Sequence, residues 1–211
     1  LQSSWRRWQN RHLSGPAHLK SFIAGPISFN QLKEHGYSAY LKAFQRYSTF
    51  ERPMNEMNFK SHVSGLHDSG NYEIWALWDR KNNELAGFSE NLVLDSSCFY
   101  ETIYYDPKYL KNYSSYALFY EMNRHYLNVK KFRYVHDGTR SLSHETNIQN
   151  FLIEKFKFRK AYCRMNLVYR PDILVLARTL YPFRPIVYMR KNPIAKKLAV
   201  LLRHEEIRRS F

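Results

Sequence analysis

The side chains that could perform acid–base chemistry are a few carboxylates and histidines on strand-like segments. Glu90 lies within residues 86–94 and Glu101 within residues 98–105, and both segments show the alternation of half-buried strands. A carboxylate on such a strand can remove a proton from a nucleophile if it faces a cleft. Either glutamate taken alone is more often an ordinary surface residue, so both explanations stay open.

Other classes of site find no support in the sequence. His62 and His67 are five residues apart without a carboxylate at ligand spacing, and no HExxH pattern occurs, so we expect no metal site. No GxSxG, GxGxxG or Walker motif is present. The two cysteines, Cys98 and Cys163, form no CxxC pair, which favours a reducing compartment such as the cytoplasm over a disulfide framework.

Positive charge is concentrated towards both ends of the 211-residue chain, whose formal net charge is +15. Residues 1–60 carry nine basic and three acidic side chains, residues 171–211 carry the same numbers, and residues 61–170 carry fifteen against twelve. This excess favours an acidic macromolecule or an anionic surface as partner, or it serves solubility alone. No stretch reaches the roughly 18 apolar residues of a membrane-spanning helix.

Hydrophobic periodicity predicts alternating groups of strands and helices. The predicted elements are strand 21–27, helices 36–48 and 55–66, strands 72–79, 86–94 and 98–105, helix 116–127, strand 132–138, helix 144–157, strand 160–170 and a terminal helix entered at Asn192-Pro193. We expect Asn55 and Ser115 to be N-caps and Gly65 to end its helix. The order predicts an α/β (α+β) fold with a mixed, mostly antiparallel central sheet flanked by helices.

Residues 143–169 join a helix to a strand with almost no loop, and this joint, with the element order, resembles the GNAT superfamily of acyl-CoA-dependent N-acyltransferases. Members commonly end a late helix with N-x-x-A-x-x-L-Y-x-K-x-G-F. The residues that fall into this frame are Leu152, Glu154, Lys155, Phe156 and Phe158. The residues that depart from it are Thr146 for the Asn, Ile153 for a Tyr that often acts as general acid, and Lys157 for the turn Gly. Tyr126 or Tyr162 could supply the missing phenol.

The second signature of that family, R/Q-x-x-G-x-G/A, holds the cofactor pyrophosphate before a helix. The matching residues are Asn112, Tyr113, Ser114, Ser115, Tyr116 and Ala117. Backbone N–H groups at a helix N-terminus bind anions in general. Because no glycine remains in this stretch, an ordinary capped loop is the alternative explanation. The resemblance implies acetyl-CoA or another acyl-CoA as co-substrate, held by these residues with Tyr104, Tyr105 and Asn147.

The resemblance covers roughly residues 19–170 and implies an N-acyltransferase, in the first instance an acetyltransferase. It would transfer an acyl group to an unidentified amine by direct attack in a ternary complex. Related enzymes often place the general base on the central strand, which selects Glu101. The alternative is a non-catalytic module that binds nucleic acid or an anionic surface through basic, aromatic termini. The predicted organisation is a basic segment 1–18, the domain 19–170 and a basic extension 171–211.

Overall fold

The chain divides into two compact units in a computed structural model. The described residues are 21–46, 52–138, 147–162, 166–190 and 192–210. The first unit comprises the described residues up to 138, and the second comprises those from 147 onwards. The predicted basic segment 1–18 lies outside the described residues. The boundaries at residues 19 and 170 stay predictions.

A five-stranded sheet forms the centre of the first unit, with its strands in sequence order. The strands are β1 (Phe22–Ile27), β2 (Tyr72–Asp79), β3 (Leu85–Leu94), β4 (Ser97–Tyr105) and β5 (Tyr134–His136). The pairs β1–β2, β2–β3 and β3–β4 are antiparallel, and β4–β5 is parallel. The predicted mixed, mostly antiparallel sheet is therefore confirmed.

The described residues of this unit include four α-helices: α1 (Phe29–Phe44), α2 (Glu56–Ser69), α3 (Pro107–Leu110) and α4 (Ser114–Asn123). Helix α1 begins seven residues before its predicted start, because Ser28 and Gln31 form a capping box. Gly36, which marked the predicted start, is a packing position inside the helix. A Cβ atom there would lie 2.6 Å from Leu32 Cδ1 and 3.0 Å from Phe59 Cζ.

Helix α2 begins where the sequence predicts and ends later. Asn55 Oδ1 accepts the N–H of Asn58 at 2.8 Å, which confirms the predicted N-cap. The prediction that Gly65 ends the helix is wrong. The helix continues to Ser69 and ends at Gly70, whose φ of +73° is the left-handed conformation that glycine adopts without a steric cost.

Helix α4 begins earlier than predicted and changes geometry at its end. Its N-cap is Tyr113, in the left-handed region with φ +63°, so the prediction of Ser115 as N-cap is wrong. The following residues, Arg124–Val129, form a π-helical turn. The predicted inward-facing residues Leu118, Met122 and Tyr126 are all fully buried.

The sheet is covered on both faces. On one face, residues of α1 and α2 share a buried hydrophobic cluster with β2 and β3: Leu32, Ala39, Tyr40, Phe59, Val63, Leu66, Ile74 and Phe88. On the other face, α4 packs against the sheet, with the Phe119 ring 5.6 Å from the Tyr100 ring. Strand alternation therefore assigns the side chains of β3 and β4 to an α1/α2 face or to an α4 face.

The described part of the second unit is helical. Its helices are α5 (Ile148–Phe156), α6 (Pro171–Leu180), α7 (Arg184–Met189) and α8 (Pro193–Arg209). Asn192 Oδ1 accepts the Ala195 N–H at 2.7 Å, as the predicted helix entry requires. Nowhere in the described residues does a helix have the length and apolarity needed to cross a membrane.

The predicted strand 160–170 is wrong for its described residues, which form no regular structure. An alternating sequence becomes a strand only where another strand provides backbone partners. Here Tyr162 is 89% exposed and Val168 fully exposed, so the alternation does not reflect burial on one face. Thr146 and Cys163 lie outside the described residues.

Helix α5 ends as the sequence frame predicts, although the residue type differs. Lys157 occupies the position of the turn glycine and has φ +61°, in the left-handed region. The N–H groups of Lys157 and Phe158 both bond to the Leu152 carbonyl and close the helix. A lysine in this conformation carries a steric cost that glycine avoids.

We therefore predict that Lys157→Gly raises the free energy of unfolding of the second unit by about 1 kcal/mol, because it relieves left-handed strain. The matched control is Lys155→Gly in the last turn of the same helix, which should lower that free energy by about 0.5–1 kcal/mol. Urea denaturation followed by circular dichroism measures both variants. Equal destabilisation by the two substitutions would contradict the assignment of strain to Lys157.

Candidate active site

Glu101 lies at an irregularity of β4 that sets its direction. In the β3–β4 register, Glu90 is opposite Thr102 and Asn91 is opposite Tyr100, so Glu101 is an extra residue, a β-bulge. The Tyr100 hydroxyl points to the α4 face and donates to Asn123 Oδ1 at 2.9 Å. Glu101 is exposed and accepts a short hydrogen bond from Tyr72.

Glu90 is a buried carboxylate on the neighbouring strand, with only 2% of its surface exposed. The His62 imidazole reaches it from α2, with Nε2 3.1 Å from Oε2 and 3.2 Å from Oε1. Burying an unpaired carboxylate is costly, and a histidine partner that can carry positive charge offsets that cost. The pair is therefore an electrostatic contact between α2 and the sheet.

These residues are coupled through their charges. The bond to Glu90 raises the pKa of His62, against the opposing effect of burial, and the charges of Glu90 and Glu101 add to the increase. Burial raises the pKa of Tyr72 to about 12, with contributions from the hydrogen bond to Glu101 and from both carboxylate charges. Tyr72 therefore stays protonated at neutral pH, and its hydroxyl donates a hydrogen bond to Glu101. We call His62, Tyr72, Glu90 and Glu101 the carboxylate cluster.

Sequence reasoning singled out both glutamates and missed their partners. From the sequence, His62 was considered only as a possible metal ligand. Its spacing after Phe59 and before Val63 and Leu66 places it beside the apolar stripe by which α2 packs on the sheet, a signal that could have identified it. Nothing local in the sequence indicates the contact between Tyr72 and Glu101, which are 29 residues apart. Within the described residues, no group of three or more potential metal ligands is found.

The pairing of β4 with β5 is short and ends at Phe99, two residues before Glu101. Their pairing spans only Ser97–Phe99 with Tyr134–His136, and β4 continues as far as Tyr105. The Phe99 and His136 rings stack at 4.9 Å where the pairing ends. Immediately beyond, burial raises the pKa of Asp137 to about 6. Beyond Phe99, the β4 segment that carries Glu101 thus has a paired strand only on its β3 side among the described residues.

The chain leaves β4 through α3 and enters α4. Tyr113 caps α4 without a side-chain hydrogen bond, and the first N–H groups of a helix have no acceptor inside it. The Ser114 hydroxyl is buried and has no hydrogen-bond partner in the described part of the chain. Ala117 is buried, whereas Ser115 is half-buried. The α4 N-terminus therefore offers backbone donors and small side chains.

The remaining predicted cofactor residues differ in their exposure and in the unit to which they belong. Tyr104 turns its ring to the α1/α2 face, 5.1 Å from Tyr40. Tyr105 and Tyr116 are half-buried, and Asn112 is exposed. Asn147 is exposed at the start of α5 and belongs to the second unit. The segment from residue 104 to residue 117 thus lies in one unit, and Asn147 lies in the other.

The two tyrosines considered as general acids have contrasting surroundings. Tyr126 is fully buried on the α4 face. Its hydroxyl donates to Glu73 at 3.0 Å and accepts from Asn91 at 3.3 Å, and burial raises its pKa far above the usual value. Tyr126 therefore takes part in a buried polar network. Tyr162 is 89% exposed and lies in the second unit.

We predict that Glu90→Gln lowers the pKa of His62, because it removes the contact that raises it most. NMR titration of the imidazole Cε1–H measures this change. The matched control is Glu56→Gln at the start of the same helix, where Glu56 pairs with Lys60, and the pKa of His62 should not change there. An unchanged His62 pKa in Glu90→Gln would contradict the assigned cause.

The same pair predicts how stability depends on pH. The folded-state pKa of His62 is raised above its ordinary value of 6.5. The contribution of His62 to the free energy of unfolding is therefore fully present below about pH 6.5 and is lost as the pH rises through the raised pKa. In wild type, the His62-dependent part of the free energy of unfolding should fall across that window. Glu90→Gln should show a smaller fall in the same denaturation series.

Comparisons with known proteins concern the fold. No protein-family model and no curated protein matches this sequence. Among solved structures, an aminoglycoside acetyltransferase from an uncultured soil metagenomic sample, in complex with sisomicin, matches with a TM-score of 0.51 at 13% identity, over 72% of this chain and 98% of its own. The aminoglycoside N-acetyltransferase AAC(6′)-Iy in complex with CoA matches with a TM-score of 0.51 at 11% identity, over 71% and 95%. Its complex with a bisubstrate analogue matches with a TM-score of 0.50 at 11% identity, over 71% and 98%.

Proposed function

Because the chain has the fold of the GNAT acetyltransferases, we propose that it is an acyl-CoA-dependent N-acyltransferase. It transfers an acyl group, an acetyl group in the first instance, to an amine by direct attack in a ternary complex. The observation that carries this proposal is that β4 loses its β5 partner after Phe99 and there carries Glu101 of the carboxylate cluster, while the chain continues from β4 through α3 to the α4 N-terminus.

The α4 N-terminus is the proposed site for the pyrophosphate of acyl-CoA. Unpaired N–H groups and the positive end of the helix dipole attract phosphate oxygens. Tyr113, in the left-handed region, begins the helix within the stretch that matches the family signature. The small Ser115 lets a ligand approach the backbone, and the buried Ser114 hydroxyl is a further polar group in the same turn. The β4 residues up to Tyr105 lead from this site to Glu101.

The carboxylate cluster is the proposed acid–base site. An amine attacks the thioester carbonyl only in its neutral form, so its proton must first be accepted. Glu101 accepts that proton, directly or through water, and Tyr72 holds its carboxylate in place. The C–N bond then forms, the C–S bond breaks, and the proton that the attacking nitrogen loses on becoming an amide protonates the leaving thiolate to give the CoA thiol. His62 balances the negative charge of Glu90 behind this site.

Binding of acetyl-CoA is the first test of this proposal. We expect micromolar binding by calorimetry and at least a tenfold loss in Ser115→Asp, because the added carboxylate repels phosphate. A negative charge in the first turn favours the helix itself, so this variant should remain folded. The matched control is Ser28→Asp at the N-cap of α1, which should bind like wild type. No binding by wild type at millimolar acetyl-CoA would exclude the cofactor site.

Loss of the base is the second test. We expect Glu101→Gln to reduce acyl transfer by about 10²–10⁴-fold, the usual contribution of a general base, while acetyl-CoA affinity stays unchanged. CoA release from acetyl-CoA with a panel of primary amines, followed with a thiol reagent, measures the rate. Glu84→Gln in the β2–β3 turn is the control, because the Glu84 carboxylate bonds Lys108 and Tyr109 rather than a member of the carboxylate cluster. Full activity in Glu101→Gln would exclude this residue as the base.

A further inference from the structure

The last helices of the second unit carry charge of a single sign over a long stretch. Residues 173–204 contain seven lysines and arginines and no aspartate or glutamate. The acidic residues that follow are already neutralised. The buried Glu205 carboxylate holds Arg208 and Arg209, both at 2.7 Å, and Glu206 lies 3.4 Å from Arg184. The positive charge of this stretch is therefore uncompensated towards the α7–α8 connection.

Helices α7 and α8 form a hairpin whose connection is at the opposite end from these acids. Arg184 at the start of α7 and Tyr188 both contact Glu206 near the end of α8. Helix α7 ends at Met189 and α8 begins at Pro193. The first turn of α8 is separated from Glu205 and Glu206 by most of the length of that helix, whereas Tyr188 in α7 reaches Glu206 through its hydroxyl. We call residues 186–190 and 192–197 the hairpin tip.

The hairpin tip exposes several aliphatic side chains. Met189 is 81% exposed and Ile194 is 72% exposed, on the two sides of the connection. Ile186, three residues before Met189 and so on the same side of α7, is 56% exposed. Arg190, Lys196 and Lys197 are exposed among them. The tip thus combines exposed apolar side chains with three exposed basic side chains.

We propose that the hairpin tip docks on an anionic membrane surface. Aliphatic side chains gain by entering the boundary between lipid headgroups and acyl chains, and nearby lysines and arginines are attracted to anionic headgroups. Nucleic acid fits this surface less well, because base stacking requires aromatic rings and the exposed groups of the tip are aliphatic. The charge of the stretch selects an anionic surface over a neutral one. This inference does not depend on the proposed acyl transfer.

Co-sedimentation of the full chain with lipid vesicles tests the proposal. We expect binding to vesicles of phosphatidylcholine with 30% phosphatidylglycerol, little binding to pure phosphatidylcholine, and weaker binding at high salt. Met189→Ser with Ile194→Ser should reduce the partition coefficient at least tenfold, and so should Lys196→Glu with Lys197→Glu. Met57→Ser in α2, 72% exposed in the first unit, is the matched control and should bind like wild type.

Three outcomes would overturn the proposal. The first is equal binding to neutral and anionic vesicles, or binding that both double variants leave unchanged. The second is salt-sensitive binding of single-stranded RNA, with no vesicle binding, that is lost in the lysine variant. The third is self-association in sedimentation velocity, without vesicle binding, that is lost in the Met189 and Ile194 variant. Circular dichroism and acetyl-CoA calorimetry on each variant separate a loss of docking from a loss of folding or of the proposed active site.

Discussion

The position of β4 between two unlike neighbours is the constraint on which the first unit depends. It is antiparallel to β3 along its length and parallel to β5 for three residues. Beyond Phe99, β4 keeps only its β3 pairing among the described residues. The extra residue at Glu101 belongs to this pairing, since a bulge bends a strand and redirects the side chain it carries. The direction of Glu101 is therefore a consequence of the β3–β4 pairing.

Desolvation explains how the carboxylate cluster is held together. Placing Glu90 in the sheet under α2 removes it from water, which costs several kcal/mol for an unpaired ion. His62 offsets this cost, and the bond that stabilises Glu90 is also what raises the pKa of His62. Tyr72, kept protonated by its surroundings, can only donate to Glu101. Titratable groups with environments that shift their pKa values in this way are concentrated at functional sites.

The second unit agrees with the family's helix-end signature at the end of α5 but lacks the strand that was expected to follow. Lys157 adopts the left-handed conformation of the turn glycine, so the geometry of the helix end persists without the residue type that favours it. The strand expected after it does not form in the described residues. Downstream, the buried Glu205 neutralises Arg208 and Arg209. That local pairing leaves the positive charge of the chain's last helices at the hairpin tip.

The sequence by itself determined the elements that its pattern of apolar, strand-forming and capping residues marks: strands β2, β3 and β4, the inward face of α4 around Leu118 and Met122, and the caps at Asn55 and Asn192. It also identified Glu90 and Glu101 as the carboxylates to consider. Only the tertiary structure decided that these two share an electrostatic cluster with His62 and Tyr72, that the β4–β5 pairing ends at Phe99, and that residues 160–162 and 166–170 form no strand. The physical reason is that periodicity records which side of an element is buried, whereas a bulge, the extent of a strand pairing or an ion pair depends on hydrogen bonds and charges contributed by residues far away in the chain.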